Sequence, residues 1–181
     1  SQYKKVKSYL RKGFDEGIGL GEAVGREIVS SSFPHKDLSI LASGVRLDVP
    51  VTVHVAVGTD VIHMHPQADG AAIGACSLRD FRIFARLISE LEGGVYINLG
   101  SAVILPEVFL KAVSLVRNLG YTLDRFTTLN MDFKSHYRPQ VNVVNRPPGT
   151  GGKGYNIIGH HEIMFPLLAA LVIEKLEREQ G

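Results

Sequence analysis

The chain is poor in the residues that announce a chemistry. It holds one cysteine, Cys76, in 181 residues. That excludes an intrachain disulfide and favours a reducing, cytoplasmic setting. No apolar run reaches the length needed to cross a bilayer, and the N-terminus has no signal-peptide core, so membrane partners are not expected. Net charge is only +2, too small to argue for nucleic acid. The one basic cluster, Lys4, Lys5, Lys7, Arg11 and Lys12, reads as a solvated helix face. There is no GxGxxG, no P-loop, no HExxH, no pair of cysteines and no GxSxG, so none of the strong catalytic or metal motifs applies. Internal repeats and low-complexity tracts are also missing.

What is present is an ordinary globular composition, 45% hydrophobic and 21% charged, with 19 glycines marking many tight turns. One domain spanning 1–181 is the simplest expectation, compatible with a piece of a longer chain. Its centre is 93–111, GGVYINLGSAVILPEVFLK. Residues 95–99 form a short β-branched and aromatic run that predicts a covered strand. Gly100, Ser101 and Ala102 then turn with little bulk. Pro106 suits a helix start, because it has no N–H to leave unpaired, and Glu107 suits the positive end of the helix dipole.

Elsewhere, 51–57 (VTVHVAV) alternates valine with other residues and predicts a strand ending at Gly58, Thr59 and Asp60. Further strands are expected over 123–129, 141–144 and 155–158, and helices over 3–12, 22–29, 37–47 and 78–91. Residues 67–75 read as a flexible small-residue segment. The stretch 145–154, NRPPGTGGKG, reads as loop. A last helix, 162–179, is apolar nearly all round from 163 to 173, which predicts burial in the domain or in a subunit contact. Alternating strands and helices give an α/β fold: a Rossmann-like three-layer domain with a mostly parallel sheet and helices on both faces.

In such a sheet, ligands sit beyond the carboxyl ends of the strands. Four strand ends would then converge there: Gly58-Thr59-Asp60, Gly100-Ser101-Ala102, Asn130-Met131-Asp132 and Gly159-His160-His161-Glu162. Asp60, Asp69, His161 and Glu162 are the candidate acid–base groups and Lys153 a candidate imine-forming nucleophile. Gly58, Thr59, Gly100, Ser101, Ala102, Asn130, Asp132 and His160 are the candidate cofactor contacts. A competing reading takes His63 and His65, two apart on a strand, with His160 as ligands for zinc or iron in a metal-dependent hydrolase. A third is a non-catalytic domain that assembles through its last helix. Cys76 reads as a core residue.

The order of several short segments resembles the C-terminal portion of deoxyhypusine synthases and their bacterial homologues of unassigned activity. The carriers are Asp48-Val49-Pro50-Val51, Ala68-Asp69-Gly70-Ala71-Ala72-Ile73-Gly74, the strand and turn at 97–103, and Phe165-Pro166-Leu167-Leu168. The resemblance runs from about Leu20 to Lys175. It implies NAD bound at the strand ends of a Rossmann-like domain in a homo-oligomer. The chemistry it implies is hydride transfer at a C–N bond of an amine or amino acid, with a small-molecule substrate. The cofactor would lie near Gly100, Ser101, Asn130, Asp132, His160 and His161, with Asp69 and Gly70 towards the substrate. The family's histidine pair after the glycine turn is Leu105-Pro106-Glu107 here. Its tryptophan and glycine before a catalytic lysine are replaced by a chain without tryptophan, with Lys153 the nearby lysine.

Overall fold

A five-residue run rich in β-branched and aromatic side chains, followed by a glycine turn, starts the sheet. Val95–Leu99 is strand β1, and the computed structural model, which describes residues 2–149 and 151–180 and the side chains of 8–149 and 151–179, pairs it with β2 (Thr127–Asp132). β2 pairs in turn with β3 (Lys153–Ile158), and both pairings are parallel. The three strands lie in sequence order β1-β2-β3. The chain is therefore a mixed α/β protein with an all-parallel, open, Rossmann-like sheet. Among the described residues no helix is long and apolar enough to cross a membrane.

The chain divides into two compact units, Ser1–Ile88 and Ser89–Gly181. The first contains helices α1 (Gln2–Glu16), α2 (Leu20–Ser30), α3 (Ile40–Leu47) and α4 (Gly70–Ile88), with two short 3-10 turns. Its core joins Leu10, Leu20, Ala72, Ile73 and Cys76, with Val24, Val53 and Val55 packed against them. The Cys76 thiol donates to the Leu10 carbonyl at 3.7 Å, so the cysteine is a core residue as expected. The side chains of Lys4, Lys5 and Lys7 lie outside those described.

Two expectations fail in this unit. Residues 51–56 belong to no helix or strand, and residue 57 opens a turn. Their alternation has another cause: Val53 and Val55 face a helical core, and the Val53 amide donates to the Asp80 carboxylate at 2.8 Å instead of to a neighbouring strand. Period-two patterning reports an extended chain with one buried face, and it does not say that a ladder is present. The small residues at 67–75 are not a flexible segment either, since Gly70 onward is the first turn of α4. Asp69 starts that helix by accepting from the Ala72 amide at 3.1 Å, an N-cap that holds its carboxyl below the usual range.

In the second unit, α5 (Ile104–Asn118) follows β1 and begins two residues ahead of Pro106. Proline still sits in the first turn, where its missing N–H has no intrahelical acceptor to lose. Tyr96 of β1 stacks on Phe109 of α5 with ring centroids 3.6 Å apart, and Phe109 meets Phe126 edge-on. The strand expected at 141–144 is instead helical. A short α6 (Tyr137–Pro139) runs into a π-helical turn over Gln140–Asn145. β-branched valines there pack inward, with Val143 fully buried. A Cβ on Gly154 would run into the Val144 carbonyl, so only glycine lets the π turn lie on β3.

The opposite face of β1 and β3, with Val95, Ile97, Leu99, Tyr155 and Ile157, is exposed. The last helix is α7 (His161–Gln180), expected to be buried either in the domain or in a subunit contact. Ile163, Phe165, Leu167, Leu171, Val172 and Ile173 are exposed along it, so it is not buried within the chain.

Candidate functional site

The carboxyl edge of the sheet is assembled by strand register. Asn98, Asn130 and Asn156 are direct partners across β1, β2 and β3. Asn98 donates to the Asn130 side-chain oxygen at 2.7 Å, and Asn130 donates to that of Asn156 at 2.7 Å. Asn98 also donates to the Ser101 carbonyl at 2.9 Å, which ties the ladder to the turn after β1. Asn98 and Asn130 are 1% exposed, and Asn98 Oδ1 has no partner among the described residues. The ladder satisfies its other buried amide groups through its neighbours and leaves that one oxygen open.

The turn itself depends on Gly100, whose φ is +70°. Its amide donates to the Met131 carbonyl at 3.0 Å, extending the pairing one residue past β1. A Cβ here would stand 3.1 Å from His161 Nε2. Glycine is thus required twice, by a left-handed backbone and by an imidazole. Ser101 accepts from the Leu105 amide through its hydroxyl at 3.2 Å, and Ala102 is half-buried. Beyond that hydroxyl, α5 starts without a side-chain cap at Val103.

At the end of β2 stands Asp132, 3% exposed. One carboxylate oxygen accepts from the Phe133 amide at 2.8 Å and lies 3.7 Å from His161 Nε2. The other lies 3.8 Å from His136 Nε2. Both histidine distances exceed hydrogen-bond length, yet they are short enough for Coulombic attraction once a ring is protonated. A buried carboxylate flanked by two imidazoles can stabilise an imidazolium on either side. Such an arrangement holds two imidazoles beside one carboxylate, the geometry that proton transfer by either ring needs.

Three of the four predicted strand ends therefore meet on one edge: Gly100-Ser101-Ala102, Asn130 with Asp132, and Gly159 with His160 and His161. The Gly159 amide donates to the Asp132 carbonyl at 2.9 Å, the mirror of the Gly100 contact. His160 precedes α7, Glu162 lies in its first turn, and both are exposed. Lys153 is the first residue of β3, at the amino end of the strand, so the sheet does not bring it to this edge. Thr150 of the preceding loop lies outside the described residues.

The fourth predicted end belongs to the first unit and is not a strand end. Gly58, Thr59 and Asp60 precede a 3-10 turn, Val61–Met64. Thr59 donates to the Ala56 carbonyl, and Asp60 accepts from the Ile62 amide at 3.2 Å. His63 and His65 lie in and just after that turn, so they do not share the face of a strand. His63 Nδ1 accepts from the Gly58 and Asp60 amides, and His65 Nδ1 from Gln67. The Asp60 and His63 side chains close a capping box. Among the described residues no three His, Cys, Asp or Glu side chains gather as a metal site.

Asn98, Asn156 and His136 are absent from the sequence-based candidates. The asparagines had a signal: Ile97-Asn98-Leu99, Leu129-Asn130-Met131 and Tyr155-Asn156-Ile157 each place one amide between two apolar residues of a strand. His136 had none, since only the fold brings it to Asp132.

Fold and edge together define the class: an α/β protein with a Rossmann-like parallel sheet and a polar carboxyl edge. Compared with known proteins, the chain matches no family model, no curated protein and no solved structure.

Proposed function

We propose that the carboxyl edge of the β1-β2-β3 sheet binds NAD or a related nucleotide, as in the deoxyhypusine-synthase-like proteins whose motifs the chain resembles. The observation that carries the reading is one edge holding both a left-handed glycine turn and a buried carboxylate between two imidazoles. The residues present fit such a cofactor. The Gly100-Ser101-Ala102 turn has little bulk, which lets a ligand approach the backbone at the start of α5.

Bound there, a nicotinamide would supply hydride chemistry at a C–N bond of an amine or amino acid. Ser101 and the α5 amides would hold the anionic part. His161 or His136, steadied by Asp132, would move a proton to or from the substrate nitrogen. The Asn98–Asn130–Asn156 ladder would keep the edge rigid.

Calorimetric titration of NAD⁺ and NADH into the folded protein is the test. Micromolar binding that disappears in Ser101→Arg, with the circular dichroism unchanged, is expected. Absence of binding to the folded wild-type chain, or equal binding by the variant, would sink the assignment.

A specific observation also favours assembly into a homo-oligomer: the exposed apolar run along α7 together with the exposed face of β1 and β3.

A further inference from the structure

A concave site lies in the same unit and shares no residue with the carboxyl edge. It is a cleft of about 320 Å³ between α5 and the α6–π turn. Lys111 projects from α5, Arg138 from α6, and Arg146 from the residue that follows the π turn. One carboxylate answers them. Glu107 lies 3.5 Å from Arg138 Nε and accepts from the Asn142 amide group at 2.7 Å. Among the described residues Lys111 and Arg146 have no acidic partner, so the cleft keeps two uncompensated positive charges.

The backbone is also unusual here. The Arg146 amide donates to the Val141 carbonyl at 3.0 Å, the wide i→i+5 bond of a π helix. That conformation is rare and concentrates at functional sites. Its effect is local and visible. It buries Asn142, whose amide fixes Glu107, and Glu107 in turn orients the Arg138 guanidinium. The arrangement is a positioned guanidinium with two further cations, and Tyr137 stands at its rim with 80% of its surface exposed.

We propose that this cleft binds a small phosphate-bearing molecule as its dianion. Two net charges match a phosphomonoester or a pyrophosphate group, and guanidinium forks fit phosphate oxygens in pairs. The volume is at the lower end for small-ligand sites, which suits one phosphate group with a short organic part lying against Tyr137. A nucleic-acid backbone fits less well, because it presents singly charged diesters along a stripe.

The probe is inorganic pyrophosphate, titrated by calorimetry into the full chain at constant ionic strength, with chloride as the reference anion. Saturable one-to-one binding is expected. Arg146→Gln and Arg138→Gln should each weaken it by about tenfold or more, the loss of one charge-assisted contact. Arg178→Gln, which removes a cation from the far end of α7, should leave it unchanged. Arg146 is exposed and makes no side-chain contact that the fold needs, so that variant folds. Non-saturating binding, equal weakening by Arg178→Gln, or full binding by Arg146→Gln would each overturn the proposal.

Discussion

The two units bury polar groups for opposite ends. In the first, Asp80 is 1% exposed and spends one oxygen on two backbone amides, Gly21 at 3.0 Å and Val53 at 2.8 Å. It fastens the start of α2 and the segment around Val53 to α4. In the second, Asn98, Asn130 and Asn156 bond one another across the sheet and end beside Asp132 and its two histidines. One buried carboxylate serves backbone amides that no secondary structure serves, and its other oxygen, Oδ1, has no hydrogen-bond partner among the described residues. The other has a single backbone donor and two titratable neighbours. A buried acid is therefore informative about chemistry only once its partners are known.

Replacing Asp80 by alanine should be the costliest change. It leaves the buried Gly21 amide and the part-buried Val53 amide without an acceptor, and a loss of about 3–5 kcal/mol is expected in urea denaturation. Asp80→Asn keeps an oxygen acceptor and should lose less. Asn130→Ala breaks the middle of the ladder and should cost about 2 kcal/mol, because Asn98 still reaches the Ser101 carbonyl. If Asn130→Ala proved the costlier, the ladder and not Asp80 would be the principal polar tie, and the contrast drawn between the units would reverse.

A smaller effect separates the units by pH. Burial lowers the pKa of His54 from 6.5, an effect that nearby Asp80 opposes. Its ring meets Phe84 edge-on at 5.3 Å, and its Nε2 lies 3.0 Å from the Thr52 hydroxyl. The folded state thus prefers the neutral ring, while the unfolded chain takes a proton near pH 6.5. Stability from this group is complete above that pH and is lost as pH falls from 6.5 through the lower folded value. Asp80 acts with the opposite sign lower down. Burial raises its pKa from 3.8 against the pull of the Val53 and Gly21 amides. Its folded form therefore holds the extra proton, and stability rises as pH falls through the raised value towards 3.8. Thermal melts from pH 8 to 5 should show the His54 slope in the wild type and a flatter profile in His54→Phe. An unchanged slope in the variant would place the titration elsewhere.

Much of the second unit was legible because its signals are local. Val95–Leu99, the Gly100 turn and the helix after it lie within 24 residues of continuous chain, and propensity, turn chemistry and helix start agree there. The convergence of three strand ends followed from the parallel-sheet rule alone. The first unit was harder to read because its decisive contact is remote. Asp80 lies 59 residues from Gly21 and 27 from Val53, and no periodicity reports such a bond. For the same reason 51–57 passed for a strand. The π turn escaped because valines at 141, 143 and 144 carry a strand-like composition that helix-period counting rejects. Asp60 and Asp69 looked like acids at a site edge, and both cap turns, a use of aspartate that sequence cannot distinguish from the other.

The smallest expected effect bears on α7. Phe165 is 52% exposed, so Phe165→Glu should change the folding stability of an isolated chain by no more than about 0.5 kcal/mol. If copies associate through this helix, the same charge would be forced into an apolar contact and should shift sedimentation from oligomer towards monomer. The two measurements decide together. A monomer in both proteins, with unchanged stability, would mean that α7 carries its apolar residues in solvent and that assembly through it is wrong. An oligomer that survives Phe165→Glu would move the contact to the open face of β1 and β3. There Ile97→Glu, on a residue 43% exposed, becomes the discriminating change. A large loss of stability without any change in association would mean that Phe165 is covered by its own chain in solution, and it would erase the contrast between an uncovered α7 and the closed core around Cys76.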